Sequence, residues 1–128
     1  MKKTIILPLF CFAFLSLSAQ DFKVTGLTTE HRTDPVGLDA TLPRFSWKTQ
    51  TERRGWKQSA YQIQASTDAD FAAKNLVWDT NKTAGDASVL QTYKGAALRS
   101  GTRYWWRVKV WDEKGSESAW SPTAFWET

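Results

Sequence analysis

Short stretches of alternating apolar and polar residues recur along the chain and predict a protein built from β-strands. Between residues 44 and 50, Phe45, Trp47 and Thr49 alternate with polar neighbours, which gives a strand one buried and one solvent-facing side. Glycine, proline, aspartate, asparagine and serine separate these stretches, as turn residues do. Only residues 70–75 allow a helical turn. The pattern predicts an all-β sandwich of about seven strands, at residues 22–28, 44–50, 60–66, 76–80, 88–93, 103–112 and 120–127.

The longest predicted strand, 103–112, carries aromatic rings on both faces. The face predicted to lie in the core consists of Tyr104, Trp106, Val108 and Val110. The opposite face is our candidate interface, and it consists of Trp105, Arg107, Lys109 and Trp111. Three interpretations of this face stay open. It is a solvent-facing surface whose cations lie over the rings, a contact with another domain, or a platform on which a sugar stacks.

Two further tryptophans at the ends of predicted strands are candidate sugar-stacking residues. Trp56 lies in the polar stretch 52–58, which makes it the better candidate for an exposed ring. Trp120 begins the last predicted strand. An exposed indole offers a flat apolar surface with a polar edge, which suits a glycan ligand.

The first nineteen residues have the three-part layout of a secretory signal peptide. Lys2 and Lys3 are basic, residues 5–17 are mostly apolar, and the small residues around Ala19 suit cleavage. The apolar segment is shorter than the roughly 20 residues that cross a bilayer. We therefore expect a bacterial protein that is exported to the periplasm, the outer surface or the medium. Its mature domain, residues 20–128, would contain no membrane span.

Cysteine content and charge narrow the range of partners. The only cysteine, Cys11, lies within the predicted signal peptide, so the mature chain has no disulfide and no thiol chemistry. Removal of Lys2 and Lys3 lowers the basic residues from 17 to 15 against 13 acidic residues, for a net charge of +2. The basic residues are scattered rather than clustered, so we expect no nucleic-acid partner.

The residues that usually carry catalysis or bind metals are sparse. Asp68 with Asp70 and Asp112 with Glu113 are pairs of carboxylates, but both pairs are predicted at turns, where solvated acids are common. His31 is the only histidine and has no cysteine near it, which excludes a typical zinc site. The sequence therefore predicts no catalytic residue, no cofactor and no metal.

One segment resembles a corner of fibronectin type III domains. Leu98 lies six residues before Tyr104, with a Ser-Gly-Thr turn between them, and an alternating strand follows. In that corner the tyrosine ring packs inward and its hydroxyl bonds to the corner backbone. The resemblance implies an immunoglobulin/fibronectin type III-like Greek-key β-sandwich.

Several further motifs occur in order, at residues 34–39, 43–47, 58–63, 78–80, 93–95 and 111–121. Together they resemble the N-terminal fibronectin/immunoglobulin-like domain of bacterial α-L-rhamnosidases, from about Val24 to Thr128. Asp34 departs from the pattern, because that family more often has asparagine before the proline. Both residues cap a turn, so the departure changes little.

The resemblance implies that the mature chain is a non-catalytic accessory domain, whose partners are the other domains of a rhamnose-releasing enzyme. In that family the catalytic carboxylates lie in a separate, larger α/α barrel, and no residue of this chain matches them. We therefore expect a fragment or front end of such an enzyme. A stand-alone carbohydrate-binding module and a cell-surface protein-interaction module remain as alternatives.

Overall fold

The computed structural model describes residues 21–128 and forms two antiparallel sheets that pack face to face. The predicted signal peptide, including Cys11, lies outside the described residues. A short 3₁₀ helix covers Ala73–Asn75 within the predicted helical turn. The eight strands are β1 (Phe22–Thr29), β2 (Arg44–Thr51), β3 (Gln58–Ser66), β4 (Leu76–Asp79), β5 (Thr83–Ala84), β6 (Gln91–Thr92), β7 (Arg103–Asp112) and β8 (Ala124–Glu127).

The order of the strands confirms the predicted sandwich. The small sheet has the order β1-β2-β6, and the large sheet has the order β4-β3-β7-β8, with β5 paired to β3. Neighbouring strands that are distant in the chain, such as β2 with β6 and β3 with β7, require connections that cross between the sheets. This is the connectivity of Greek-key sandwiches.

Aromatic side chains fill the space between the sheets. The inward positions of β7 are fully buried, as the alternation predicts, and Trp47 and Ile63 face them from other strands. Phe45 of the small sheet lies 4.7 Å from Trp106 and 5.1 Å from Trp126 between ring centroids. These contacts hold the two sheets together, because each large ring buries roughly 150–250 Å² on folding.

The open edge of β8 is covered by the crossing segment that follows β1. The backbone N–H of Glu127 donates to Pro35, and the N–H of Leu38 donates back to Glu127, both at 2.9 Å. The Asp34 carboxylate accepts the N–H of Phe125 at 2.9 Å. An asparagine side chain also has an oxygen acceptor, so the departure at Asp34 preserves this bond. The covered edge cannot recruit another strand.

The last strand is shorter than the predicted 120–127 because two serine hydroxyls replace backbone groups in the ladder. Ser118 Oγ accepts the N–H of Val110 and Ser121 Oγ accepts the N–H of Val108, each at 3.0 Å. Regular strand pairing therefore starts only at Ala124. The predicted strand 88–93 is likewise shortened, because Ser46 Oγ accepts the N–H of Leu90 at 2.8 Å. The two-residue β5 was not predicted.

The predicted tyrosine corner is present. Tyr104 is buried, and its hydroxyl accepts the backbone N–H of Arg99 at 2.8 Å. Leu98 packs against the core beside it. The bond ties the loop before β7 to the strand itself, which fixes the position of the chain at this end of the sandwich.

A second buried tyrosine explains the Tyr93-Lys94-Gly95 motif. The Tyr93 hydroxyl donates to the carbonyl of Ala96 at 2.6 Å. Burial, and to a smaller extent the nearby Tyr104, raises the pKa of Tyr93 to about 12. A Cβ atom on Gly95 would lie 2.5 Å from the Tyr93 hydroxyl and 2.5 Å from the carbonyl oxygen of Val77. Only glycine allows the loop to approach this closely.

We predict that Tyr104→Phe lowers the free energy of unfolding by about 1–2 kcal/mol, because the Arg99 N–H loses its acceptor while the ring still packs. Urea unfolding followed by tryptophan fluorescence measures the change. Tyr61→Phe is the control, since its hydroxyl makes only a 3.5 Å contact with Gln91. Equal losses in the two variants would contradict a specific role for the corner hydroxyl.

We predict that Gly95→Ala lowers the free energy of unfolding by about 1–3 kcal/mol, because the added methyl group overlaps the Tyr93 hydroxyl and neighbouring backbone. Gly85→Ala is the matched control. A Cβ there meets only the Tyr61 ring, at 3.4 Å, which is ordinary contact. Thermal unfolding of both variants tests the prediction, and a Gly95→Ala protein as stable as the control would show that the close approach is unimportant.

Candidate interaction surface

The outer face of β7 is built from cations that lie over aromatic rings. The Arg107 guanidinium carbon is 4.3 Å from the centroid of Phe71 and 4.2 Å from that of Trp120. The Lys109 ammonium is 4.7 Å from Trp120 and 5.5 Å from Trp111. Each such contact contributes roughly 0.5–2 kcal/mol, more as the pair loses water. The structure therefore joins three of the four predicted interface residues, Arg107, Lys109 and Trp111, in one array.

We call this array the cation–aromatic ladder and define it by Phe71, Arg107, Trp120, Lys109, Trp111 and Lys82. Lys82 completes it at one end, with its ammonium 5.0 Å from the Trp111 ring. The sequence did not indicate Phe71 or Lys82, because both come from connections outside β7. The only available signal was that Phe71 is the single large apolar side chain in residues 70–75.

Trp120 reaches the ladder because the two serine hydroxyls that shorten β8 hold the segment around it against β7. Ser118 and Ser121 pin the backbone on either side of Trp120 to β7. The backbone N–H groups of the same two serines donate to Val110 and Val108, at 2.8 and 2.9 Å. Four hydrogen bonds thus hold this segment against the strand, and the half-buried Trp120 ring lies over Arg107 and Lys109.

A polar network anchors Arg107 from the neighbouring strands. The Gln64 side-chain oxygen accepts two hydrogen bonds from the Arg107 guanidinium, at 2.8 and 3.1 Å. The amides of Gln64 and Gln62 each donate to the Asp79 carboxylate at 3.0 Å. Gln64 on β3 therefore links Asp79 on β4 to Arg107 on β7, and hydrogen bonds fix this part of the outer face across three strands.

The pKa values in this network follow from burial and hydrogen bonding. Burial lowers the pKa of Arg107, and the nearby charge of Asp79 partly opposes that effect. Burial alone would raise the pKa of Asp79. Hydrogen bonds from Gln64, the Asn81 N–H and Gln62 outweigh it, so the pKa lies below its ordinary value. An arginine keeps its charge in proteins, so Arg107 lies over the rings as a cation.

The candidate interface residues differ in how much surface they offer. Trp111 is only 7% exposed, and the Lys82 and Lys109 side chains lie over its ring. Arg107 and Lys109 are half-buried, with their charges directed over rings. Trp105 is half-buried and stands apart from the ladder, opposite Phe125 of β8. Trp105 is therefore the aromatic side chain of this set with most surface left for a partner.

The candidate sugar-stacking residues are less open than the sequence indicates. Trp56, expected as an exposed ring, is half-buried and packs against Phe22 with ring centroids 5.3 Å apart. Its indole N–H is buried with no hydrogen-bond partner among the described residues. The ring of Trp120 already contacts Arg107 and Lys109. A sugar that stacked on those ring faces would have to displace the cations.

The two acid pairs have structural roles. Asp68 and Asp70 accept backbone N–H groups within their own turn, at 3.2 and 3.0 Å. Asp112, almost fully buried, and Glu113 both bind Arg53 at 3.0 Å. A general acid requires a raised pKa. Burial would raise the pKa of Asp112, but bonds from the Ser116 N–H and Arg53 hold it below its ordinary value.

The part of the chain at residues 21–128 holds no group of three or more metal-binding side chains. Over the same residues, no helix is both long enough and apolar enough to cross a bilayer.

Known proteins that resemble this chain match nearly the whole sandwich. A family model described as "Rha78A-like, N-terminal immunoglobulin domain" matches residues 24–128. An α-L-rhamnosidase of Streptomyces avermitilis is 42% identical over 106 residues, which is 83% of this chain and 10% of the relative. An α-L-rhamnosidase of Formosa agariphila is 32% identical over 129 residues, which is 96% of this chain and 13% of the relative.

Solved structures agree with these matches. The Streptomyces avermitilis α-L-rhamnosidase, solved with L-rhamnose, superposes with a TM-score of 0.80 at 42% identity over 84% of this chain and 10% of that one. The Dictyoglumus thermophilum α-L-rhamnosidase superposes with a TM-score of 0.77 at 34% identity, over 82% of this chain and 12% of that one. This chain thus spans about a tenth of the length of such relatives. The resemblance read from the motifs is confirmed, and the chain belongs to the family of Rha78A-like N-terminal immunoglobulin domains.

Proposed function

We propose that this sandwich is a non-catalytic accessory domain of an α-L-rhamnosidase-type enzyme that releases terminal rhamnose from glycosides. The observation that carries the proposal is the match of residues 24–128 to a domain that forms about a tenth of such enzymes. The two acid pairs of the sequence accept backbone N–H groups of their own turn or bind Arg53. A glycosidase needs two carboxyl groups placed across a sugar.

The accessory role is to brace the neighbouring domains of the enzyme. A sandwich with a ring-filled core and a face fixed across three strands is a rigid support. Of the candidate interface residues, Trp105 offers partly exposed aromatic surface beside Phe125, while Arg107 and Lys109 hold the ladder behind it. Partly exposed aromatic surface is typical of protein contacts. The partners in this proposal are therefore other domains of the enzyme.

The proposal includes export. The basic start, the short apolar segment and the small residues around Ala19 favour a secretory signal peptide at residues 1–19. Export suits an enzyme that acts on glycosides outside the cytoplasm, in the periplasm, at the cell surface or in the medium. A mature domain without cysteine needs no disulfide formation on the way.

A test of bracing uses the Streptomyces avermitilis enzyme, whose matching domain is replaced by residues 21–128 of this chain. We predict that deletion of the domain lowers the thermal midpoint of the remaining enzyme by about 3 °C or more, and that the replacement restores it. Trp105→Ala in the replacement should remove part of the gain, because the interface loses a ring. Differential scanning calorimetry and rhamnosidase activity after heating provide the readouts.

The matched control is Val89→Ala, since Val89 is 63% exposed and lies outside the outer face of β7. Trp111→Ala is a poor probe, because Trp111 is buried and its loss would weaken the domain itself. If deletion leaves the midpoint and the activity unchanged, the bracing role is wrong. Calorimetric binding of L-rhamnose by the isolated chain, lost in Trp120→Ala, would support the carbohydrate-binding alternative instead.

A further inference from the structure

The two ends of the sandwich differ in chemistry. At the end where the described chain starts, Arg53 binds Asp21 at 3.3 Å and Asp112 and Glu113 at 3.0 Å each. Glu113 also accepts the N–H of Lys57 at 3.2 Å. This end therefore carries a cluster of paired charges. An apolar partner would gain little there, because it would have to remove water from these ions.

The end that carries Thr128 has an open groove instead, whose apolar side chains are accompanied by Asp39 and Arg99. The groove encloses about 470 Å³ between the loop before β2 and the loop before β7. Leu38 and Leu42 line one side, and Ala97 and Leu98 line the other. Leu42 is 59% exposed, and Val36 on the same crossing segment is 61% exposed. Exposed apolar side chains around a concave surface are typical of an interface.

Hydrogen bonds fix Thr128 as part of the groove wall. Its backbone N–H donates to Thr102 at 3.0 Å, and its hydroxyl donates to the carbonyl of Arg99 at 2.5 Å. The Thr102 N–H donates in turn to the Thr128 hydroxyl at 3.0 Å. The same loop is held to Tyr104 by the tyrosine corner. The backbone direction at Thr128 is therefore set by the loop that forms the groove.

The position of Thr128 in the groove wall indicates which part of a longer chain could occupy the groove. The family model describes an N-terminal domain, and the matched relatives are about ten times longer than this chain. Because the family model describes an N-terminal domain of much longer relatives, further polypeptide follows this domain in them. A domain joined after Thr128 would share one chain with the groove, and so would meet it at a high effective concentration.

We propose that this groove is the docking site for the domain that follows in rhamnosidase-type chains, which inserts apolar side chains between Leu42 and Leu98. The inference rests on the proposed accessory function and names the groove as a contact surface in addition to Trp105. The contact makes the junction rigid. The Trp105 face then lies beside the junction, and the Arg53 end points away from it.

The test uses the same replaced Streptomyces avermitilis enzyme. Leu42→Asp places a charge in the groove, and Val89→Asp places one on an equally exposed residue elsewhere. We expect Leu42→Asp to lower the midpoint of the neighbouring domains by about 3 °C or more and to separate the unfolding of the sandwich into its own calorimetric transition. Val89→Asp should leave both unchanged. In the isolated chain the two variants should unfold alike, because both residues are exposed.

The outcomes distinguish failure of the groove as a docking site from failure of the accessory function. If Leu42→Asp and Val89→Asp behave alike in the enzyme while Trp105→Ala still lowers the midpoint, the groove is not the docking site and the accessory function stands. If the unmodified sandwich gives no stabilisation over the deleted enzyme, the accessory function and the groove both fail. If Leu42→Asp alone separates the transitions, the groove is the docking site.

Discussion

The packing of Phe45 against rings of the opposite sheet is the interaction on which the rest of the structure depends. Its centroid lies 4.7 Å from Trp106, 5.1 Å from Trp126 and 5.8 Å from Trp78. Phe45 thus joins β2 of the small sheet to β7, β8 and β4 of the large one. The indole N–H groups of Trp106 and Trp126 have no hydrogen-bond partner among the described residues, which costs roughly 1–3 kcal/mol each. The large buried ring area offsets this cost.

Strand β7 uses aromatic residues in two different ways. On its inner face, rings contact rings and aliphatic side chains in a dry core. On its outer face, Lys82 and Lys109 lie over Trp111, while Lys109 and Arg107 lie over the neighbouring Trp120. Gln64 holds Arg107 in place. The aromatic rings of the ladder are therefore already in contact with cations of the same domain. The surfaces left for a partner are Trp105 and the groove at Thr128, which lie toward the same end of the sandwich.

The sequence predicts what depends on local alternation and fails where one side chain replaces a backbone group. The bounds of β7 and the bond from Tyr104 to its corner follow from periodicity and motif. The early ends of the predicted strands 88–93 and 120–127 do not, because they depend on the hydroxyls of Ser46, Ser118 and Ser121. The burial of Trp56 depends on Phe22, and the groove depends on two distant loops, so neither has a local signal.

The proposed function assigns this sandwich to a larger rhamnose-releasing enzyme. The most direct test is to read the genomic DNA beyond the codon for Thr128 in all three frames. The account predicts an open or frameshifted continuation that encodes a further β domain and a helical barrel with catalytic carboxylates. A stop codon followed by an unrelated gene would contradict it, and would leave a free sandwich whose groove and rings need another partner.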